Sequence, residues 1–267
     1  MIRGSVASCA SVALACVLGA PVPAAAATPP LDPAATVAKG KQALGRTLGN
    51  YTLADKTGAP LALRDYRGKP LVVSLVYTAC SSVCPPTTQH VIGAVNEAGR
   101  MIGLDRFNVL TIGFDARNDT PARLTQFASS QGIKSPNWQV ASADPATIEA
   151  LLGDLGFSYR AVAGGFDHLT QTTIIDREGR IYRHVYGEEF PLPMFMEPLK
   201  DVVYGTATSF SFSGIVDRIK FICTAYDPGA GRYRIDYGLV FGSVIAAFSL
   251  FVMGGLILRE WLRSARA

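Results

Sequence analysis

Apolar and polar positions fall into blocks of different period along the chain. Leu71-Val72-Val73-Ser74-Leu75-Val76 is a near-continuous branched aliphatic run, the mark of a strand buried on both faces. It breaks after Tyr77 into Thr78-Ala79-Cys80-Ser81-Ser82-Val83-Cys84-Pro85, small residues that suit the start of a helix. A helix is predicted from about Pro86 to Met101, with Val91, Ile92, Val95 and Met101 on its apolar side. Proline is tolerated in a first helical turn, so Pro85 and Pro86 support that start. Phe107 to Phe114 predicts a second apolar strand. Thr120 as N-cap and Pro121 as the first helical residue predict a helix to about Gln131. Trp138 to Ala141 is a short third strand, and Asp144 introduces a helix over Pro145 to Leu155.

Shorter alternating stretches flank this block. Tyr51-Thr52-Leu53 and Leu61-Ala62-Leu63, joined through Asp55-Lys56-Thr57-Gly58, predict an antiparallel hairpin. Phe157-Ser158-Tyr159-Arg160 is strand-like, and Gly164-Gly165-Phe166-Asp167-His168 reads as a loop. Thr172 to Asp176 and Ile181 to Tyr186 predict a second hairpin around Arg177-Glu178-Gly179-Arg180. Strands alternating with helices imply an α/β domain, a mixed central sheet flanked by helices, over residues 50–205.

The two ends have a different pattern. Arg3, the apolar Val6 to Leu18 and the small residues Pro23 to Ala27 have the form of a secretory signal over residues 1–27. Residues 28–49, rich in Pro and Ala and then weakly helical, read as a linker. Gly238 to Leu258 carries no charge and as a helix would reach about 30 Å, the length of one transmembrane span. Residues 206–237 before it form a juxtamembrane segment, in which Cys223 to Tyr233 is turn-rich and aromatic, as suits the membrane interface. Arg259, Arg263 and Arg266 put the tail, residues 259–267, in the cytoplasm by the positive-inside rule. The expectation is a single-pass inner-membrane protein with its folded domain in the periplasm.

Composition changes this picture little. With 49% hydrophobic residues, the 267-residue chain can bury one good core, and 25 basic against 21 acidic residues leave no nucleic-acid footprint.

Cysteine usage changes it more. Of five cysteines, Cys9 and Cys16 leave with the signal, and Cys80, Cys84 and Cys223 reach an oxidising compartment. Cys80 and Cys84, four apart, are expected on one face of a first helical turn, close enough to grip a soft metal ion or to oxidise to a disulfide. The helix N-terminus favours the thiolate. A cysteine pair just after the first inner strand suits a thioredoxin-like fold. Cys223 reads as a buried or membrane-proximal thiol. Among the three histidines, His90 turns away from the cysteine face and reads as a surface residue, and His184 reads as a cross-strand or solvent-facing residue. His168, in its Gly-rich loop, can reach a helix start.

Cys80-Ser81-Ser82-Val83-Cys84-Pro85, the stretch Phe114 to Pro121, and Asp167-His168 followed by the Gly179 turn together resemble the Sco/SenC family over about Gly49 to Gly187. The resemblance implies a thioredoxin-like fold. It also implies that Cys80, Cys84 and His168 bind copper together, and that the cysteines form a redox pair. The family often has Pro and Asp where this chain has Ser81 and Ser82, and many members carry an N-terminal anchor, which points to a divergent branch. Two thiolates and one imidazole suit Cu(I), whereas structural zinc wants four ligands and no fourth is evident.

The expected function is a copper chaperone and thiol-disulfide protein that assists assembly of the copper centre of cytochrome c oxidase. Its partner would be the copper-receiving subunit of that respiratory oxidase. The alternative is a metal-independent thiol-disulfide reductase in which Cys80 attacks and Cys84 resolves. A peroxide-scavenging enzyme would need a polar activating set beside the cysteine, and Thr78 alone is weak support.

Overall fold

The computed structural model describes residues 29–205, 224–227, 232–235 and 237–264. The expected leader over residues 1–27, Cys223 and the segment 206–223 lie outside the described residues. All contacts below fall within the unit Leu31–Ala267.

The aliphatic run forms β3 (Leu71–Val76), every residue of it buried. Its side chains alternate between two cores, as a pleated strand requires. Leu71, Val73 and Leu75 belong to one, Val72 to the other. Burial of each such side chain contributes about 1.5–3 kcal/mol. β4 (Asn108–Gly113) and β5 (Trp138–Ser142) run parallel to it, and their connections hold α2 (Cys84–Met101) and α3 (Pro121–Gln131). The hairpin β1 (Thr52–Asp55) and β2 (Pro60–Ala62) extends one edge antiparallel to β5. On the other edge β8 (Gln171–Ile175) pairs antiparallel with β3, and β9 (Ile181–Tyr186) with β8. The seven-stranded sheet has the order β2-β1-β5-β4-β3-β8-β9. It is the mixed sheet expected.

Helix boundaries follow the capping chemistry. Thr120 caps α3 by accepting the N–H of Arg123, and Asp144 caps α4 (Pro145–Asp154) by accepting those of Ala146 and Thr147. A helix absent from the expectation, α5 (Leu192–Tyr204), packs with α2 over one sheet face through Phe195, Met196 and Leu199. Pro198 inside it breaks the usual helical signal.

Three further differences matter. The stretch read as a weakly helical linker holds α1 (Pro33–Ala43), with Thr36, Gly40 and Ala43 buried. Its low apolar content hides a face that packs through small residues. The stretch read as a loop before His168 is a strand, β7 (Gly165–His168), paired antiparallel with β6 (Tyr159–Val162) in a separate two-stranded sheet. His90 is half-buried, not a surface residue: Nε2 lies 2.8 Å from the Phe190 carbonyl oxygen. His184 has the expected cross-strand role, its Nδ1 lying 2.9 Å from Oγ1 of Thr173.

Towards the C-terminus, β10 (Thr224–Asp227) pairs antiparallel with β11 (Arg232–Ile235), and a 28-residue helix, α6, spans Tyr237–Ser264. Among the described residues no helix is long and apolar enough to cross a membrane. Side chains of α6 are described only in part, so the expected span rests on the sequence from Gly238 to Leu258.

Candidate metal and thiol centre

Topology brings the informative stretches to one edge of the sheet. β3 and β4 are parallel, so the cysteine turn after the first and the Asp115 to Asp119 loop after the second leave from the same end. β8 runs the other way against β3, so its start, three residues after His168, returns to that end. Sites at the carboxyl ends of central strands are a general property of open α/β sheets.

The cysteine turn is tight. Tyr77 accepts the N–H of Cys80 at 3.0 Å, and α2 begins at Cys84. Cys80 therefore precedes the helix; the two cysteines do not share its first turn as expected. They are nonetheless in contact, since the N–H of Cys84 donates to the Cys80 sulfur at 3.3 Å. Both thiols are free and buried, at 7% and 3% exposure.

Their surroundings push them apart in acidity. Burial raises the Cys80 pKa, but the backbone of Cys84, the Tyr77 hydroxyl, the Cys84 thiol and the backbone of Ser82 all favour its thiolate and bring it down from 9.0 to about 7. Burial pushes Cys84 well above the usual thiol range, and the negative charges of Cys80 and Asp119 push the same way. Near neutral pH one sulfur is an available thiolate and the other holds its proton.

Two residues that sequence reasoning missed build this site. Asp119, 1% exposed, accepts the N–H and the hydroxyl of Thr78, each at 2.7 Å, and the N–H of Asp115 at 2.9 Å. It thus fixes the cysteine turn to the loop after β4. The Thr120-Pro121 helix signal beside it drew attention to a cap instead. Tyr77 reads as the last residue of a buried strand, yet its ring packs edge-on against Phe114, Phe166 and His168, and its hydroxyl lies close to Gly165 of the histidine's hairpin.

His168 lies across a cleft of about 370 Å³, lined by Tyr77, Ser82, Val83, Phe166 and the histidine itself. Its ring sits edge-on to Tyr77 and Phe114, with centroids 6.0 and 5.3 Å away. Nδ1 is buried with no hydrogen-bond partner. Burial lowers the pKa of this imidazole, so it is neutral at neutral pH and has a free lone pair. Its hairpin is anchored through Asp167, which accepts the N–H of Leu31 at 3.0 Å and Nη2 of Arg160 at 2.7 Å. The fold thus joins Cys80 to Cys84 and sets His168 in the cleft that Ser82 and Val83, between the cysteines, also line. Among the described residues it does not gather three His, Cys, Asp or Glu side chains closely enough to hold a metal ion. The donor chemistry still fits a soft ion: two adjacent sulfurs on the cysteine turn, and an imidazole with a buried, unpartnered nitrogen in the cleft that Ser82 and Val83 also line.

Comparison with known proteins gives the family and the fold. The sequence model of the SCO1/SenC family matches residues 39–203. The chain belongs to the SCO1/SenC family. Protein SenC of Rhodobacter capsulatus is 33% identical over 137 residues, 48% of this chain and 58% of that protein. This SCO1/SenC chain spans about half the length of the curated relatives it matches. A solved Aquifex aeolicus structure named for electron transfer shares 26% identity at a TM-score of 0.56, covering 63% of this chain and 99% of its own. Arabidopsis thaliana ScoI, solved with copper bound, shares the fold at a TM-score of 0.53 and 15% identity, covering 60% of this chain and 99% of its own. All three cysteine and histidine positions of interest lie inside the matched family region. The fold is the thioredoxin-like α/β arrangement expected.

Proposed function

We propose that this SCO1/SenC protein binds copper through Cys80, Cys84 and His168 and passes it to the copper-receiving subunit of a respiratory oxidase, assisting assembly of its copper centre. In the same reading the domain is periplasmic and is held at the inner membrane by the Gly238 to Leu258 helix. One observation carries the copper assignment: His168, whose Nδ1 is buried and unpartnered, lines the same cleft as Ser82 and Val83, the residues between the two cysteines. Copper is cargo here, and the chain's own residues hold and release it. Cys80 offers a thiolate without a large proton cost, Cys84 gives up its proton on binding, and movement of the β6–β7 hairpin brings the imidazole in. Ser81 and Ser82 are exposed, so a client's thiolates can approach the same sulfurs and exchange with them.

The experiment is a chelator-competition titration of the reduced full chain in detergent with Cu(I). One copper per chain is expected, with affinity lost in Cys80→Ala and Cys84→Ala and reduced at least tenfold in His168→Ala. Unchanged affinity in His168→Ala defeats the assignment.

The acidity split favours a second reading. Cys80 as thiolate attacks a client disulfide and one client thiolate leaves; Cys84 then attacks the Cys80 sulfur, gives up its proton and releases the second client thiolate. Two electrons pass to the client and the Cys80–Cys84 disulfide forms. This reductase keeps full activity in His168→Ala with a copper chelator present, whereas the copper carrier is disabled by either.

A further inference from the structure

The β6–β7 hairpin that carries His168 forms a two-stranded sheet of its own, apart from the seven-stranded one. A two-stranded hairpin is marginal in water, so its order must be supplied by what it rests on. Helix α1 reaches both of its strands. The N–H of Leu31, just before that helix, donates at 3.0 Å to Oδ2 of Asp167, the residue before the histidine in β7. Further along, Nζ of Lys39 donates at 3.2 Å to the carbonyl oxygen of Phe157, two residues before β6. Beside Lys39 the helix is seated by glycine. A Cβ on the buried Gly40 would overlap the Tyr186 hydroxyl and stand 3.5 Å from Cδ2 of His184, both on β9. Gly156, one residue before Phe157, has a left-handed φ of 64°, and a Cβ there would stand 2.9 Å from the Gly40 Cα and from the Lys39 carbonyl oxygen. The chain entering β6 therefore runs in backbone contact with α1.

We infer that α1 is a positioning element for His168: Leu31 and Lys39 hold the β6–β7 hairpin at both strands, and the contact of Gly40 with Tyr186 and Gly156 seats the helix that carries them. The inference deepens the copper reading and rests on it only for the effect on metal affinity; the hold on the hairpin is a property of the metal-free protein. A hairpin already held gives up less freedom when its imidazole meets the metal, so the hold contributes to affinity. It acts through the histidine alone, since α1 reaches the hairpin and makes no described bond to the cysteine turn.

The test uses the full chain in detergent with Gly40→Ala, Tyr186→Phe, the two together, and Lys39→Met. Amide exchange in β6 and β7 is read against that in β3, and Cu(I) affinity by chelator competition. Gly40→Ala lifts α1, so exchange in the hairpin is expected to rise about tenfold while β3 is unmoved, and Cu(I) affinity to fall about fivefold. The Tyr186 hydroxyl is buried with no hydrogen-bond partner, so Tyr186→Phe alone is expected to change neither. Added to Gly40→Ala, it clears the overlap and restores both. In a His168→Ala background, Gly40→Ala is expected to have no further effect on affinity, whereas a general loss of structure lowers it in either background. Should Gly40→Ala fail to fold, Lys39→Met decides, because it removes the bond to Phe157 and keeps the aliphatic stem; the same shifts are expected. Unchanged exchange in β6 and β7 overturns the inference, whether or not α1 itself loosens, and so does an affinity loss that persists in His168→Ala. If the wild-type protein takes up no Cu(I), the copper reading fails, while exchange and its rescue by Tyr186→Phe still judge the hold of α1.

Discussion

One carboxylate oxygen of Asp119 receives both donors of Thr78, the backbone N–H and the hydroxyl, at the same 2.7 Å. That pair of hydrogen bonds, across 41 residues of sequence, ties down the chain just before Cys80. In Asp119→Ala the partly buried N–H groups of Thr78 and Asp115 lose their acceptor, at about 1–3 kcal/mol for each. The expected outcome is a stability loss of about 2–5 kcal/mol by urea unfolding. Asp119→Asn, which keeps one acceptor oxygen, should lose less than half as much.

The sulfurs should be told apart by alkylation. With a Cys80 pKa of about 7, its iodoacetamide reaction rises tenfold per pH unit below 7 and levels off above, because only the thiolate reacts. Burial slows the rate but leaves the midpoint. Cys84, its pKa raised by burial, should remain unmodified through pH 9 in the folded protein. Peptide mapping across a pH series reads both, and equal labelling of the two contradicts the assigned electrostatics.

His184 gives the fold an acid dependence of definite sign. Burial depresses its pKa from 6.5 to about 4, only partly offset by the backbone of Gly40. The folded state therefore binds fewer protons than the unfolded chain between these values. The stability contributed by the neutral, buried ring is complete above pH 6.5 and is lost as pH falls toward 4, by about 3 kcal/mol in all. The stability difference between wild type and His184→Gln should shrink by about that amount from pH 7 to pH 4. A difference that stays constant with pH shows the ring is not buried neutral.

The hairpin that carries His168 should loosen without the sheet. Asp167→Ala removes the acceptor for Leu31 and Arg160, both partly exposed contacts, so global stability is expected to change by less than about 1 kcal/mol. Amide exchange in Tyr159–Val162 and Gly165–His168 should quicken while that in Leu71–Val76 does not. Uniform quickening in all three strands contradicts a local anchor.

Regular features of the fold were legible where local chemistry decides them. Thr120 with Pro121 and Asp144 with Pro145 marked helix starts because a capping oxygen and a fixed proline φ act within three residues. β3 was legible because burial on both faces demands an unbroken apolar run. By contrast α1 and α5 were hidden, one by small residues that pack without hydrophobic periodicity, the other by Pro198 in its interior. The strand before His168 was hidden because Gly164 and Gly165 signal a loop, whereas its pairing partner lies in β6.

The order of elements, the cysteine pair after the first inner strand and the family resemblance were determined by the sequence itself, because each is a matter of residue type at short spacing. The role of Asp119, the acidity split between two identical thiols and the meeting of His168 with Tyr77, Ser82 and Val83 around one cleft were decided by tertiary structure alone. Each depends on which groups distant in sequence come within hydrogen-bonding range at low dielectric, and that is fixed by strand order and direction.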